Sequence, residues 1–236
     1  MPDDRVRLLI HGASGRMGRA LVRLCAGHEA CTVVAAVARK VEQRVVDGVP
    51  QFAAKELHGV PAFDVAVDFS LPEALEPVLS LCVERGSGFV CGTTGLSDGQ
   101  REAMAAAARR IPLLWASNFS LGVAVLEDLV ERAASALPGW DCDIVEAHHA
   151  HKQDAPSGTA LTLGAAAGRG GAAPSYASLR AGDIVGEHTV QFAGAGERIE
   201  LVHRAGNRDI FALGALHAAA RLSGRKPGQY RLRDLL

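Results

Sequence analysis

The 236-residue sequence predicts an α/β fold, a mainly parallel sheet covered by helices and followed by a smaller α+β part. Three observations carry this. Short apolar runs alternate with helical patterns through the first half, which is the grammar of βαβ units. A glycine-rich turn joins the first apolar run to the first helix. Beyond residue 180 two runs flank a second glycine-rich turn, which is the grammar of an antiparallel hairpin.

Taken in order, "RVRLLIHG" (5–12) reads as a buried strand and "RMGRALVRLCAG" (16–27) as an amphipathic helix. "CTVVAAVA" (31–38) is a second strand. "DVAVDFS" (64–70) and "GFVCGTTG" (88–95) are further strands, separated by 71–86, where Leu75, Val78, Leu79 and Cys82 fall at helical spacing. A helix over 97–110, capped by Ser97 or Asp98, leads to the strand "IPLLWASN" (111–118). After the helix 121–138 come "DCDIVEAHHA" (141–150) and a stretch, 168–178, that reads as a flexible loop. The runs 183–194 and 197–206 form the hairpin, and an alanine-rich helix, 209–224, closes at Gly224. The expected division is 1–119 with 209–236 as one domain and 120–208 as the other.

Composition narrows the function. A chain this long buries roughly 70–75% of its unfolded surface and needs no disulfide or metal to fold. Its five cysteines, Cys25, Cys31, Cys82, Cys91 and Cys142, show no metal or disulfide spacing, which fits a reducing, cytoplasmic setting. With 25 basic and 26 acidic residues, the net charge of -1 gives no overall attraction to nucleic acid or to an anionic membrane. Neither a signal peptide nor a membrane span is legible.

Gly12, Gly15 and Gly18 in "LLIHGASGRMG" stand between the first strand and its helix, where a backbone approaches a pyrophosphate and helix amides favour its charge. An acidic residue is expected about 20 positions on, to bind ribose hydroxyls. The sequence has Ala38, Arg39 and Lys40 instead, which suits a 2'-phosphate. "CGTTG" (91–95) and "ASNFSLG" (116–122) each follow a parallel strand on the edge where such sheets bind ligands. His11, just before the glycines, takes a place expected to be small or apolar and has no assigned role.

"EAHHAHKQDAPSGTAL" (146–161) gathers His148, His149, His151 and Lys152 ahead of a helix start. A metal site is one reading, but the ammonium of Lys152 opposes a cation and the spacing matches no zinc motif. The other is a site for an anion undergoing protonation, with lysine neutralising charge, histidine supplying the proton and the amides at 158 and 159 holding a carboxylate.

Together "GASGRMG", "DFSLPEA", "CGTTG", "ASNFSLGV", "EAHHAHKQDAPSGTAL", "SLRAGDIVGEHTVQF" and "ERIELVHRAGNR" resemble bacterial dihydrodipicolinate reductases. The resemblance implies a Rossmann-like parallel-sheet cofactor domain and an α+β substrate domain whose open mixed sheet builds a homotetramer. It implies reduction of a cyclic product of aspartate semialdehyde and pyruvate, a dicarboxylate, to tetrahydrodipicolinate on the route to diaminopimelate and lysine. NADH or NADPH is the reductant, and Ala38 with Arg39 favours NADPH. Carried over by residue, His148 is the catalytic acid/base, Lys152 the second proton donor, and His149, Gly158 and Thr159 hold the carboxylates. The cofactor residues implied are Gly12, Ala13, Ser14, Gly15, Arg16, Met17, Arg39, Gly92, Thr93, Thr94, Ala116, Ser117, Asn118 and Phe119, with no metal. A non-catalytic nucleotide sensor on the same fold would lack the proton donors, and both are present.

Overall fold

The computed structural model describes residues 4–236. The chain divides into two compact units, one of residues up to Phe119 with Phe211–Leu236 and the other Ser120–Ile210.

In the first unit, β1 (Val6–His11) buries Leu8, Leu9 and Ile10 completely, as a strand covered on both faces does. Helix α1 (Arg16–Cys25) returns the chain to β2 (Cys31–Ala38), parallel to β1. Residues 41–63, to which the sequence assigns no strand, add β3 (Val45–Val46) and β4 (Val49–Ala53). Strand β4 continues the parallel sheet beside β2, and β3 folds back on it. Next come β5 (Val65–Asp68), a 3-10 turn at Pro72–Ala74, and α2 (Leu75–Arg85), which buries Leu75, Val78, Leu79 and Cys82 as their spacing predicts. After β6 (Gly88–Cys91), α3 (Asp98–Ala107) starts at a capping box, in which the Ser97 side chain accepts from the Gln100 amide and Gln100 reaches back to the Ser97 amide. Strand β7 (Pro112–Trp115) follows. These strands end before their apolar runs do, because the last residues of each run turn into the loops at the carboxyl edge.

The second unit holds α4 (Leu121–Ala136), β8 (Asp141–His148), α5 (Gly158–Arg169), β9 (Pro174–Arg180), β10 (Glu187–Gly194) and β11 (Glu197–Arg204). Its sheet runs β11-β10-β8-β9, antiparallel except for β8 beside β9. The expected flexible loop at 168–178 is therefore corrected: Gly168 and Arg169 end α5, and Pro174–Ser178 belong to an edge strand. Its Gly, Ala and Pro content conceals a strand whose order comes from pairing with β8, and proline is tolerated at a strand's first position. Leu126 and Val130 of α4 and Leu163 of α5 pack with Ile144, Val190 and Phe192 of the sheet. Arg169 ties the two helices by donating to Glu127 and Glu131.

Helix α6 (Asp209–Leu222) carries the chain back into the first unit, where β12 (Gly228–Tyr230) pairs parallel to β7. The eight-stranded order is β12-β7-β6-β5-β1-β2-β4-β3. The chain thus reverses direction of growth between β1 and β5, and the crevice beyond the carboxyl ends at such a switch point is where open α/β sheets bind ligands. No described helix is long and apolar enough to cross a membrane.

Gly214, inside α6, is there for close approach. A β-carbon at that position would collide with the main-chain oxygen of Phe119. Helix propensity alone favours alanine by about 1 kcal/mol, yet overpacking costs about 1–3 kcal/mol. Gly214→Ala is expected to lower stability in urea unfolding, and a higher midpoint would refute the contact.

Candidate active site

The second unit gathers the histidine-rich stretch around one buried carboxylate. Along β8, Cys142, Ile144, Glu146 and His148 share a face, the first two in the helix-covered core and the last two at the strand's end. The Glu146 side chain is wholly buried. Arg180, opposite His148 in the parallel register with β9, donates to both Glu146 oxygens at 2.9 and 2.7 Å. The Ser157 amide adds a third donor at 3.3 Å. His148 Nδ1 lies 2.5 Å from Glu146 Oε2.

Burial alone would raise the Glu146 pKa, but the hydrogen bonds from Arg180, Ser178 and His148 outweigh it and lower it to about 2. Glu146 is therefore an acceptor at working pH, and Nδ1 of His148 carries the shared hydrogen. That leaves Nε2 as the ring nitrogen not taken up by Glu146. The His188 ring packs edge-on against His148 with centroids 5.2 Å apart. Burial first, then the nearby His148, pushes the His188 pKa down to about 4, so His188 is neutral near pH 7. Its Nε2 meets Ser157 Oγ, which caps α5 by accepting from the Ala160 amide.

Beyond β8 the chain turns back through Lys152. Its ammonium donates to both oxygens of Asp154, at 2.7 and 2.8 Å. Lys152 and the Gly158 amide both hold the Asp154 pKa below its ordinary value, Lys152 foremost. An internal carboxylate thus rests on Lys152 and the first amide of α5. Thr159, half-buried, follows in that first turn. Arg208 donates to His149 Nε2 at 3.3 Å. His149 and His151 lie side by side at 6.4 Å. Among the described residues, no group of three or more His, Cys, Asp or Glu is arranged to hold a metal ion.

In the first unit, the remaining sequence-predicted residues lie in loops at the carboxyl ends of β1, β2, β6 and β7. Gly12, at φ +79°, packs so closely on the Phe69 main chain that a side chain would collide. The amides of Gly12 and Ala13 are taken up by the Val37 carbonyl and that of Gly15 by the Gly12 carbonyl. Helix α1 starts without a side-chain cap, so Arg16 and Met17 offer first-turn amides to an anion. Ser14 is exposed beside them. Thr93 is buried, its hydroxyl 2.7 Å from Asp68, whereas Thr94 is exposed and Gly92 half-buried. Ala116, Ser117 and Asn118 line the loop after β7, and the Phe119 ring packs at 5.3 Å on Phe69. Arg39 and Lys40 are exposed at the end of β2, and neither pairs with a carboxylate among the described residues.

Sequence reasoning passed over Glu146, Arg180, His188, Asp154 and Arg208. Glu146 was within reach, because it sits two residues before His148 on one strand face. Arg180 was not, since only the β8–β9 register places it there.

The Glu146 pKa sets a pH dependence. A carboxylate lowered from 4.5 to about 2 contributes stability above its unfolded pKa and loses it as pH falls toward about 2. Wild-type stability should therefore fall between about pH 4.5 and 2, and Glu146→Gln should be less stable at pH 7 with that part of the slope missing. Parallel acid-unfolding curves for the two would refute the coupling.

Comparison with known proteins identifies the family. Residues 6–119 match the family model described as dihydrodipicolinate reductase, N-terminus, and residues 122–236 match the one for its C-terminus. The 4-hydroxy-tetrahydrodipicolinate reductase of Stenotrophomonas maltophilia (strain R551-3) is 74% identical, over 100% of both chains. That of Xanthomonas campestris pv. campestris (strain B100) is 68% identical, again over 100% of both. The structure of a dipicolinate-bound dihydrodipicolinate reductase from Paenisporosarcina sp. TG-14 superimposes with a TM-score of 0.84 at 23% identity, covering 98% of this chain and 100% of that one. By full-length matches in both units, and by a fold shared from end to end, this chain belongs to the dihydrodipicolinate reductase family.

Proposed function

We propose that this chain reduces 4-hydroxy-tetrahydrodipicolinate to tetrahydrodipicolinate, as a nicotinamide-dependent reductase of the diaminopimelate and lysine route in the cytoplasm. The observation that carries it is the Arg180–Glu146–His148 chain of hydrogen bonds beside the Lys152 turn. A reduced nicotinamide dinucleotide, when bound, supplies the hydride. The first unit fits that group: Gly12 packs flat against the neighbouring loop, and α1 opens without a side-chain cap.

What remains is proton delivery and anion binding, and the chain's own residues serve both. Glu146 fixes the His148 ring so that Nε2 delivers or takes the proton on the substrate, and Lys152 is the second donor. Lys152 and the Gly158 amide hold Asp154 now, which marks them as donors for a carboxylate. Thr159 and His149, the latter beside Arg208, take the second carboxylate of a dicarboxylate substrate. Ala38 offers no acceptor to a ribose hydroxyl, while Arg39 and Lys40 pair with no carboxylate among the described residues, so NADPH is the preferred cofactor and NADH the weaker one. The uncovered face of the second sheet presents Val202 and Leu179, 41% and 57% exposed, which supports assembly as a homotetramer through that sheet.

The test is oxidation of NAD(P)H at 340 nm with substrate generated from pyruvate and aspartate semialdehyde. His148→Ala and Lys152→Ala should each lower kcat by about 100-fold or more, the scale of a lost general acid, with cofactor affinity unchanged. Near-normal turnover in both would refute the site. NADPH should exceed NADH by about tenfold in kcat/KM, from a charge-assisted contact of about 1.5–3 kcal/mol weakened by screening. Rising salt should shrink that preference and Ala38→Glu erode it, whereas an Arg39→Ala variant with unaltered NADPH affinity would refute it.

A further inference from the structure

His11 has no part in the chemistry above, yet it is 5% exposed at the very end of β1. Its Nδ1 donates to Asp68 Oδ1 at 2.7 Å. Asp68, the last residue of β5, is fully buried and is the direct neighbour of His11 in the sheet register. The other Asp68 oxygen accepts from Thr93 Oγ1 at 2.7 Å and from the Cys91 thiol at 3.5 Å. Thr93 Oγ1 in turn accepts from the Ser70 amide at 3.1 Å. Burial raises the Asp68 pKa, but the His11, Ser70 and Thr93 hydrogen bonds prevail and keep it below the ordinary value, so the group is a carboxylate.

The connections cross three adjacent strand ends, those of β1, β5 and β6. All three run into the loops at the switch point of the sheet. Phe69 repeats the linkage in the main chain, donating its amide to the His11 carbonyl at 3.1 Å while its own carbonyl backs Gly12. Its ring fills the space that a side chain at Gly92 would need. Small shifts of Asp68 are thereby passed to both the Gly12 loop and the Gly92 loop.

We infer that His11 is a positioning residue for cofactor binding: through the buried Asp68 it sets the relative height of the Gly12–Gly15 and Gly92–Gly95 loops. This rests on the cofactor edge proposed above. A buried carboxylate that loses one of its donors shifts toward the others or takes up a proton. Replacing His11 by an apolar residue leaves Thr93 as the strong partner, and Asp68 moves toward β6. Asparagine at position 11 keeps a nitrogen donor where Nδ1 stands.

The experiment compares the full-length wild type, His11→Leu, His11→Asn and Asp68→Asn in steady-state kinetics, with NADPH binding followed by its fluorescence and Tm measured in parallel. His11→Leu should raise the KM and Kd for NADPH by about tenfold, the equivalent of one charge-assisted hydrogen bond. The KM for the dicarboxylate and kcat should change by less than about twofold. His11→Asn should recover most of the cofactor affinity. A role in folding alone predicts a lower Tm with unchanged KM for NADPH, and that result overturns the inference, as does a His11→Asn variant no better than His11→Leu. Should His11→Leu fail to fold, Asp68→Asn must show the same selective rise in KM for NADPH, and an unchanged value overturns the inference. A wild type that binds neither NADPH nor NADH refutes the cofactor reading instead.

Discussion

The second unit is organised around a carboxylate that water cannot reach. Glu146 is completely enclosed, and a buried charge persists only where donors replace its hydration. Its donors come from three pieces of chain: Arg180 and Ser178 from β9, the Ser157 amide from the start of α5, and His148 from the end of β8 itself. Satisfying this one group therefore fixes the edge strand, the helix start and the imidazole together. The same requirement explains why β9 is ordered despite a composition that reads as a loop. Its last residue carries the guanidinium that the charge demands.

The first unit solves a similar problem with Asp68. It too lies at a strand end, is fully buried, and accepts from a histidine nitrogen and a second side chain. The two sites differ in what the histidine is left to do. His148 has Glu146 on Nδ1 and turns Nε2 toward the Gly186 backbone and the site. His11 stays buried at the end of β1, bonded to Asp68. One arrangement leaves a ring nitrogen at the edge of the site and the other encloses its ring in the sheet, with the same donor and acceptor types. A shared motif of carboxylate and imidazole thus carries no function until its surroundings are known.

The glycine loop shows the same division between holding and binding. Three of its amides are committed to main-chain oxygens, whereas the opening turn of α1 has no side-chain cap on its first amides. The glycines contribute by having no side chain: Gly12 lets the loop lie against Phe69. Near Lys152 the converse holds, because Asp154 already takes the ammonium and the Gly158 amide. Those donors are already oriented toward a negative charge.

Much of this was legible in the sequence by itself. Local periodicity placed β1, β2, α2 and the β10–β11 hairpin, since a strand's alternation and a helix's 3.6-residue spacing are written in consecutive residues. The Ser97 cap and the Ser157 start of α5 were readable for the same reason, as was the cluster from His148 to Lys152, which lies on one short segment. Other features were decided only in three dimensions. Strands β4, β9 and β12 are edge or near-edge pieces of weak pattern, ordered by hydrogen bonds to partners distant in sequence. Arg180 meets Glu146 across 34 residues, and His11 meets Asp68 across 57. No local pattern encodes such pairs, because burial and register are properties of the packed sheet, and it is burial that turns a histidine and a carboxylate into an obligatory pair.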